Sequence, residues 1–111
     1  MHEWINGLPM AITVCDADGI FIEMNDQADK TFAKYGGREL IGKSAYDYHP
    51  PHCNDMIRKM IATGQAHSYT IDKAGQKKLI HQQPWFKDGQ VAGVVEFSIV
   101  LPDDMPHYVR G

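Results

Sequence analysis

Two short apolar runs near the start of the chain flank a polar turn. The runs occupy residues 12–15 and 20–22, and the turn between them reads Asp16-Ala17-Asp18-Gly19. A glycine-containing turn between two β-prone runs is typical of a β-hairpin. The pattern therefore predicts a hairpin across residues 12–22.

A short helix is predicted directly after this hairpin. Asn25 is a residue type that caps helix N-termini, because its side-chain oxygen accepts from free backbone N–H groups. Ala28, Phe32 and Tyr35 then fall on one helical stripe. The glycines at 36 and 37 provide a left-handed C-terminal cap, so we expect the helix over residues 26–35.

The middle of the chain predicts a second and longer helix. Residues 52–63 carry apolar side chains at helical spacing, with Arg58 and Lys59 pointing outward and Gly64 as the C-terminal cap. The apolar stripe comprises Met56, Ile57, Met60 and Ile61.

Three extended runs follow, at residues 66–72, 77–86 and 91–101. Turns at 73–76 and 87–90 separate these runs, and two consecutive hairpin turns place the strands in an antiparallel meander. Together with the first hairpin, the meander predicts an α+β fold in which helices pack on one face of a five-stranded antiparallel sheet.

The last of these strands has apolar residues on both of its faces. Alternation puts Val95 and Phe97 on one face, which we predict to lie against the core. The other face includes Val94 and Val100, so we expect the outer face of the sheet to be covered as well.

Composition limits the classes of function. A chain of 111 residues with 43% hydrophobic residues matches one globular domain with one core. The net charge of −3 and the scattered basic residues argue against a nucleic-acid partner, which needs clustered Lys and Arg. No apolar run approaches the ~20 residues that span a bilayer, and the N-terminus lacks the pattern of a signal peptide. We therefore expect a cytoplasmic protein with no membrane partner, in which Cys15 and Cys53 stay reduced.

Residues 12–44 resemble the first half of a PAS sensor domain. Glycines at the later hairpin turns, Gly75 and Gly89, agree with this resemblance. The resemblance covers residues 11–101, which leaves a lead-in at 1–10 and a tail at 102–111. The stretch from Pro84-Trp85-Phe86 to Arg110 is also similar to small stand-alone bacterial PAS proteins. The motifs that carry the resemblance are the Asp16…Gly19…Asn25 series and the sequence Glu39-Leu40-Ile41-Gly42-Lys43-Ser44.

The resemblance implies a sensory and signal-transduction module and not an enzyme. In PAS domains a ligand cavity lies between the small helices and the inner face of the sheet. A bound small molecule would bias the sheet between two states, and the signal would leave through dimer geometry or through the tail to an output protein or domain. The predicted cavity wall comprises Tyr46, His49, His52, Cys53, Met56, Met60, Tyr69, Gln82 and Phe97. A structural interpretation stays open beside this one, in which Tyr46 and Met56 fill the core.

One strand of the meander carries glutamines where a central strand is expected to be apolar. A buried polar group with no partner costs about 1–3 kcal/mol. Gln82 or Gln83 therefore either bonds a bound small molecule or pairs across the sheet. The candidate cross-strand partners are Tyr69, Thr70 and Glu96.

Glu96 lies in an otherwise apolar strand. An unpaired buried carboxylate is costly, so we expect Glu96 to pair with Lys78 or His81. The alternative is that Glu96 serves as a buried acid.

Cofactor binding is a lesser alternative. PAS haem sensors bind iron through a histidine on the long helix, and His52 is the candidate here, although it lies in the first turn of that helix. His49, His52 and Cys53 are too close together in sequence for a usual tetrahedral zinc site, so we assign no metal. The neighbours of Cys53 do not match the Asn-Cys-Arg-Phe-Leu-Gln stretch of flavin-adduct photosensors. The cofactor is therefore left unassigned.

A homodimer is the expected assembly. PAS domains often pair through the outer face of the sheet or through N-terminal segments, and the candidate contacts here are Trp4, Ile5, Val94 and Val100. Two rival interpretations remain. One is a ligand-free PAS domain that serves only in protein–protein interaction, and the other is a small enzyme, for which the sequence offers no complete nucleophile–base pair.

Overall fold

The computed structural model describes residues 1–48 and 51–111. Its helices are α1 (Glu3–Asn6), α2 (Asp26–Thr31) and α3 (Pro51–Thr63). Its strands are β1 (Ala11–Asp16), β2 (Phe21–Met24), β3 (His67–Lys73), β4 (Gln76–Lys87) and β5 (Gln90–Val100). Among the described residues between α2 and α3 there are three 3₁₀ turns, at Ala33–Tyr35, Gly37–Leu40 and Ala45–Asp47. No helix within the described ranges is long and apolar enough to cross a membrane.

The strands form a five-stranded antiparallel sheet in the order β2-β1-β5-β4-β3. Two late hairpins place β3, β4 and β5 side by side, and β1 pairs with β5, so the last strand lies at the centre of the sheet. This arrangement confirms the predicted α+β fold and the predicted antiparallel meander.

One cluster of the hydrophobic core lies between α3 and the inner face of the sheet, which is the face turned toward α3. A second cluster joins β1 and β2 to α2 and the 3₁₀ turns. Ile57 and Met60 of α3 are 6% and 2% exposed, and they pack with Cys15 of β1 and Val94 of β5. The other two residues of the apolar stripe pack beside this cluster. The predicted stripe of α3 is therefore confirmed.

β5 has the opposite orientation from the one that its apolar pattern predicted. Val94 is buried in the core cluster, whereas Val95, Phe97 and Ile99 line a groove on the outer face of the sheet. The prediction that Val95 and Phe97 face the core is wrong, and Val94 is not available as a dimer contact. The reason is that the N-terminal lead-in packs along the outer face, so apolar side chains of β5 are at least partly buried on both faces and alternation does not distinguish them.

The helix predicted over residues 26–35 is divided in two. α2 is shorter than predicted, and the 3₁₀ turn Ala33–Tyr35 takes the place of its last turn. Gly36 ends that turn with a φ of 112°, a left-handed conformation that glycine adopts at no steric cost. The backbone N–H of Arg38 then donates to Asp29 Oδ1 at 2.9 Å, which folds the following segment back against α2.

Candidate functional site

Four polar side chains form a row across the inner face of the sheet. The strand register pairs Thr13 with Glu96, Glu96 with Gln82, and Gln82 with His67. Thr13 and Gln82 are each 7% exposed. Residues that stand opposite each other on neighbouring strands project to the same side of a sheet. This polar row therefore presents its side chains toward α3.

Two members of the polar row bond directly. Gln82 donates from Nε2 to Glu96 Oε2 at 2.8 Å, which confirms the cross-strand interpretation of Gln82. The predicted pairing of Glu96 with Lys78 or His81 is wrong. Lys78 lies further along β4, and His81 projects to the opposite face, where its Nε2 lies 3.2 Å from Gln83 Oε1.

Two cavities meet at Gln82, which lines both of them. The first has a volume of about 60 Å³ and lies between the inner face of the sheet and the 3₁₀ turns. A water molecule occupies roughly 30 Å³ in the liquid, so this interior cavity has room for about two waters. The second is an open cleft of about 250 Å³ between α3 and the β3–β4 side of the sheet. We call it the α3 cleft, and it is lined by His52, Cys53, Met56, His67, Tyr69 and Gln82.

The α3 cleft brings together most of the predicted wall residues. Cys53 and Met56 lie three residues apart and share one face of α3. Tyr69 and Gln82 share the inner face of the sheet through the β3–β4 register. Sequence reasoning missed His67. Its spacing of two residues from Tyr69 along β3 indicates that both side chains lie on the same face of the sheet.

Three of the other predicted wall residues, Tyr46, Met60 and Phe97, do not line this cleft. Met60 is buried in the core, and Tyr46 packs against the same cluster, with the Arg58 guanidinium 4.3 Å from its ring centroid. Phe97 lines the groove on the outer face, so its prediction as part of the cavity wall is wrong. His49 lies outside the described residues.

Two tyrosines that sequence reasoning did not assign to the site stand at the interior cavity. Tyr35 and Tyr48 line this cavity, and their rings meet edge to face at a centroid distance of 6.4 Å. Both side chains are also exposed to solvent, at 50% and 38%. The pair therefore lies between the interior cavity and the solvent. No local sequence pattern indicated this contact, because the 3₁₀ turns bring the two residues together.

The α3 cleft has negative character. Burial raises the pKa of the Tyr69 phenol, and the nearby Glu96 and Cys53 raise this pKa further. Within residues 1–48 and 51–111, no ion pair involves Glu96. Glu96 itself lines the interior cavity. Its bond to Gln82 places beside the cleft a carboxylate that no cationic side chain of the described residues neutralises.

The thiols and histidines at the site do not form a metal centre in the described part of the chain. Cys15 is buried and Cys53 is half-buried, and both are free thiols. The described residues contain no group of three His, Cys, Asp or Glu side chains that could hold a metal ion. The zinc hypothesis also involved His49, which lies outside those residues.

Comparison with known proteins identifies the class to which this fold belongs. A sequence model of the PAS fold matches residues 5–102, and the chain therefore belongs to the PAS family. A search of curated proteins finds no match to the chain.

Solved structures share the fold at low sequence identity. VqmA bound to DPO superposes with a TM-score of 0.70 at 18% identity, over 90% of this chain and 55% of that chain. A sensory box sensor histidine kinase from Vibrio cholerae gives a TM-score of 0.65 at 12% identity, over 90% of this chain and 88% of that chain. The Aer2 receptor from Vibrio cholerae, a dual PAS-heme oxygen sensor, gives a TM-score of 0.61 at 14% identity, over 84% and 95% of the two chains. The chain spans about half the length of VqmA, and these likenesses establish the fold alone.

Proposed function

We propose that this chain is a PAS sensory module that binds a small ligand in the α3 cleft and transmits binding through β5. The observation that carries the proposal is the composition of the cleft. Its volume of about 250 Å³ is bounded by the thioether of Met56, the ring of Tyr69 and the buried amide of Gln82. Pockets that bind small molecules combine mostly apolar walls with a few placed polar groups in this way.

β5 connects the polar row on one face of the sheet to the groove on the other face. Glu96 bonds Gln82 on the inner side, while the adjacent Val95 and Phe97 line the outer-face groove together with Trp4. A ligand that competes for the Gln82–Glu96 bond acts on β5 and therefore on the groove. It shifts the equilibrium between two arrangements only by the difference in its affinity for them.

The outer-face groove supports the homodimer in this proposal. It is lined mostly by apolar residues of the lead-in, β1 and β5, together with His2 and Glu23, and has a volume of about 860 Å³. Trp4 at its rim is 67% exposed. Large exposed apolar patches on small proteins mark interaction surfaces. Vibrio cholerae VqmA, which shares the fold, has been solved as a dimer. The proposed contact consists of Trp4 and Ile5 with the outer face of β5.

The second candidate function is a ligand-free PAS domain that serves only in protein–protein interaction. The size of the outer-face groove relative to the α3 cleft favours this candidate. Neither candidate function includes a nucleic-acid partner, and the net charge of −3 supports this choice. The proposed location is the cytoplasm, as the sequence pattern predicts.

The haem alternative is less well supported than a smaller ligand. His52 lines the α3 cleft but is exposed near the start of α3. The cleft volume lies below the roughly 300–1,000 Å³ of pockets that take drug-sized ligands, so the described cleft has too little room for a haem. The proposal also assigns no catalytic step to Cys53 or to the two histidines of the cleft.

The experiment that tests the proposal is a protein-observed NMR screen of the full chain with a library of small fragments. Binding in the α3 cleft is expected to shift the backbone amides of Cys53, Met56, Tyr69 and Gln82. The variant Cys53→Phe places a ring in the cleft and is expected to abolish these shifts. Thr70→Phe is the matched control, because Thr70 is exposed on the same strand as Tyr69 but on the opposite face.

Thermal melts of both variants establish that they fold. Fragment shifts that map to the outer-face groove, with none in the α3 cleft, contradict the ligand proposal and favour the interaction domain. Cleft shifts that persist unchanged in Cys53→Phe contradict the placement of the site.

A further inference from the structure

We propose that the α3 cleft selects small ligands that carry a protonated amine or amidine group and rejects anionic ligands of the same shape. This inference rests on the proposed function, because it names the chemistry of the ligand for that same cleft. It follows from the arrangement of Gln82, Glu96 and Tyr69.

The orientation of the Gln82 amide is fixed by its neighbour. An ionised carboxylate only accepts hydrogen bonds, so Gln82 must turn its NH₂ group toward Glu96. The amide oxygen of Gln82 then points away from this bond and remains an acceptor. Within the described residues, neither this oxygen nor Glu96 Oε1 has a hydrogen-bond partner. The polar groups that Gln82 and Glu96 leave for a ligand are therefore acceptors, which bind donors.

The charge of Glu96 is partly buried and unneutralised. Glu96 is half-buried, and no ion pair reaches it from any Lys, Arg or His of the described residues. A partly desolvated carboxylate is costly without a cation beside it. A cationic ligand supplies that partner, whereas an anionic ligand adds repulsion to the cost.

The wall of the cleft also suits a cation. The rings of His67 and Tyr69 lie 5.3 Å apart between centroids, with an interplanar angle of 40°. The electron-rich face of a tyrosine ring attracts a cation within about 6 Å. The pKa of Tyr69 is raised by burial and then by Glu96, so the field of that carboxylate extends over the cleft.

The volume of the cleft limits the size of the ligand. About 250 Å³ corresponds to roughly eight waters at about 30 Å³ each, which suits a ligand of about ten non-hydrogen atoms. One aromatic ring that carries an amidine is of this size. A planar cation of this kind can lie against Tyr69 with its N–H groups turned toward Gln82, beyond which Glu96 lines the adjoining interior cavity.

The test compares three probes that share a benzene ring and differ in charge: benzamidine, benzamide and benzoate. NMR titration of the full wild-type chain is expected to give the tightest binding for benzamidine, followed by benzamide and then benzoate. Hydrogen bonds to charged groups are stronger than neutral ones, so we expect benzamidine to bind at least about tenfold more tightly than benzoate.

Two variants locate the origin of the preference. Glu96→Gln removes the carboxylate and is expected to reduce the difference between benzamidine and benzoate to less than about threefold. Asp72→Asn is the matched control, because it makes the same change in net charge at an exposed position of β3 and should keep the wild-type preference.

The outcomes separate this inference from the proposed function. Binding of all three probes in the cleft with equal affinity overturns the cation preference and leaves the sensory proposal intact. Benzoate binding more tightly than benzamidine also overturns the preference, and this comparison needs only the wild-type chain. If no probe and no fragment of the screen shifts the cleft amides, the proposed function itself fails.

Discussion

The side-chain amide of Asn25 donates from Nδ2 to the backbone carbonyl of Ile5 at 3.0 Å, across twenty positions of sequence. The same nitrogen donates to Met10 O at 2.8 Å, and Oδ1 accepts from the N–H groups of Ile12 and Ala28 at 3.0 Å each. One fully buried side chain therefore joins α1, β1 and the start of α2. This ties the segment beside the outer-face groove to the core of the domain.

Substitution of Asn25 by alanine is expected to be strongly destabilising. It removes four hydrogen bonds from a buried site and leaves backbone groups of Ile5, Met10, Ile12 and Ala28 without their side-chain partner. At about 1–3 kcal/mol for each unsatisfied group, with some relaxation, we expect a loss of about 3–5 kcal/mol in the free energy of unfolding. Urea denaturation measures this loss.

The matched control for this prediction is Asn54→Ala. Asn54 makes one hydrogen bond, from Nδ2 to Tyr46 O at 2.9 Å, and its Oδ1 is buried without a partner in the described residues. Its removal should cost no more than about 1 kcal/mol. Hydrogen exchange at the amides of Ile5 and Asn6 should also quicken in Asn25→Ala and not in Asn54→Ala. Equal losses in the two variants contradict the role given to Asn25.

Gly93 is expected to tolerate no side chain. It lies at a φ of 157° in β5, and a Cβ atom there would overlap the carbonyl oxygen of Cys15 and lie 2.7 Å from Trp85 Nε1. The indole N–H of Trp85 donates to the same Cys15 oxygen at 3.1 Å, so neither neighbour is free to move away. We expect Gly93→Ala to lower the free energy of unfolding by about 3 kcal/mol or more.

Gly75→Ala provides the comparison for Gly93. Gly75 has a φ of +78° in the β3–β4 turn, with no atom within 4 Å of a Cβ built there. Only backbone strain opposes that substitution, so we expect a loss of about 1 kcal/mol. Thermal unfolding of both variants tests the contrast, and a Gly93→Ala protein as stable as Gly75→Ala would refute it.

Alkaline pH is expected to destabilise the fold through Tyr69. Burial and then Glu96 raise the pKa of this phenol above its ordinary value of 10.0. The native state therefore holds the proton more tightly than the unfolded state. The resulting stability is fully present below a pH of about 10 and is lost as the pH rises through the native pKa.

The variant Tyr69→Phe carries no ionisable group at this position, so its stability should fall less steeply than that of the wild type above a pH of about 10. Urea denaturation at several pH values between neutrality and strong alkali measures the two slopes. Tyr108→Phe, in the exposed tail, should follow the wild-type profile. Identical slopes for Tyr69→Phe and the wild type would show that Tyr69 makes no contribution.

Trp4 is expected to support the homodimer. It is 67% exposed at the rim of the apolar outer-face groove. Tryptophan is enriched among the interface residues that contribute about 2 kcal/mol or more to binding, so Trp4→Glu should weaken dimerisation by about thirtyfold or more in sedimentation-equilibrium measurements. Val109→Glu adds the same charge at a 90% exposed position of the tail and should leave the dimer unchanged. A wild-type chain that sediments as a monomer at every concentration contradicts the proposed contact.

Local patterns were sufficient to predict most of the fold. The capping role of Asn25 is read from its residue type and position, and its Oδ1 does accept from the N–H of Ala28. The stripe of α3 is read from helical spacing, since Ile57 and Met60 share one face and both are buried. Two consecutive hairpin turns fix the order of the last three strands.

The site was predicted only in part, because long-range contacts decide it. The faces of β5 could not be assigned, since residues 1–10 cover the outer side of Phe97 while α3 covers Val94. The partner of Glu96 depends on the register between β4 and β5, which selects Gln82. The Tyr35–Tyr48 contact depends on the path of the 3₁₀ turns between the two residues.

Native mass spectrometry of the wild-type chain and of Cys53→Phe tests ligand binding in the α3 cleft most directly. Both proteins are incubated with one small-molecule extract of cells, and free molecules are then removed. We predict that the wild-type chain retains one small molecule per chain and that Cys53→Phe, folded but with a filled cleft, retains none. Bare chains in both samples, or the same added mass on both, would contradict a ligand site between α3 and the sheet.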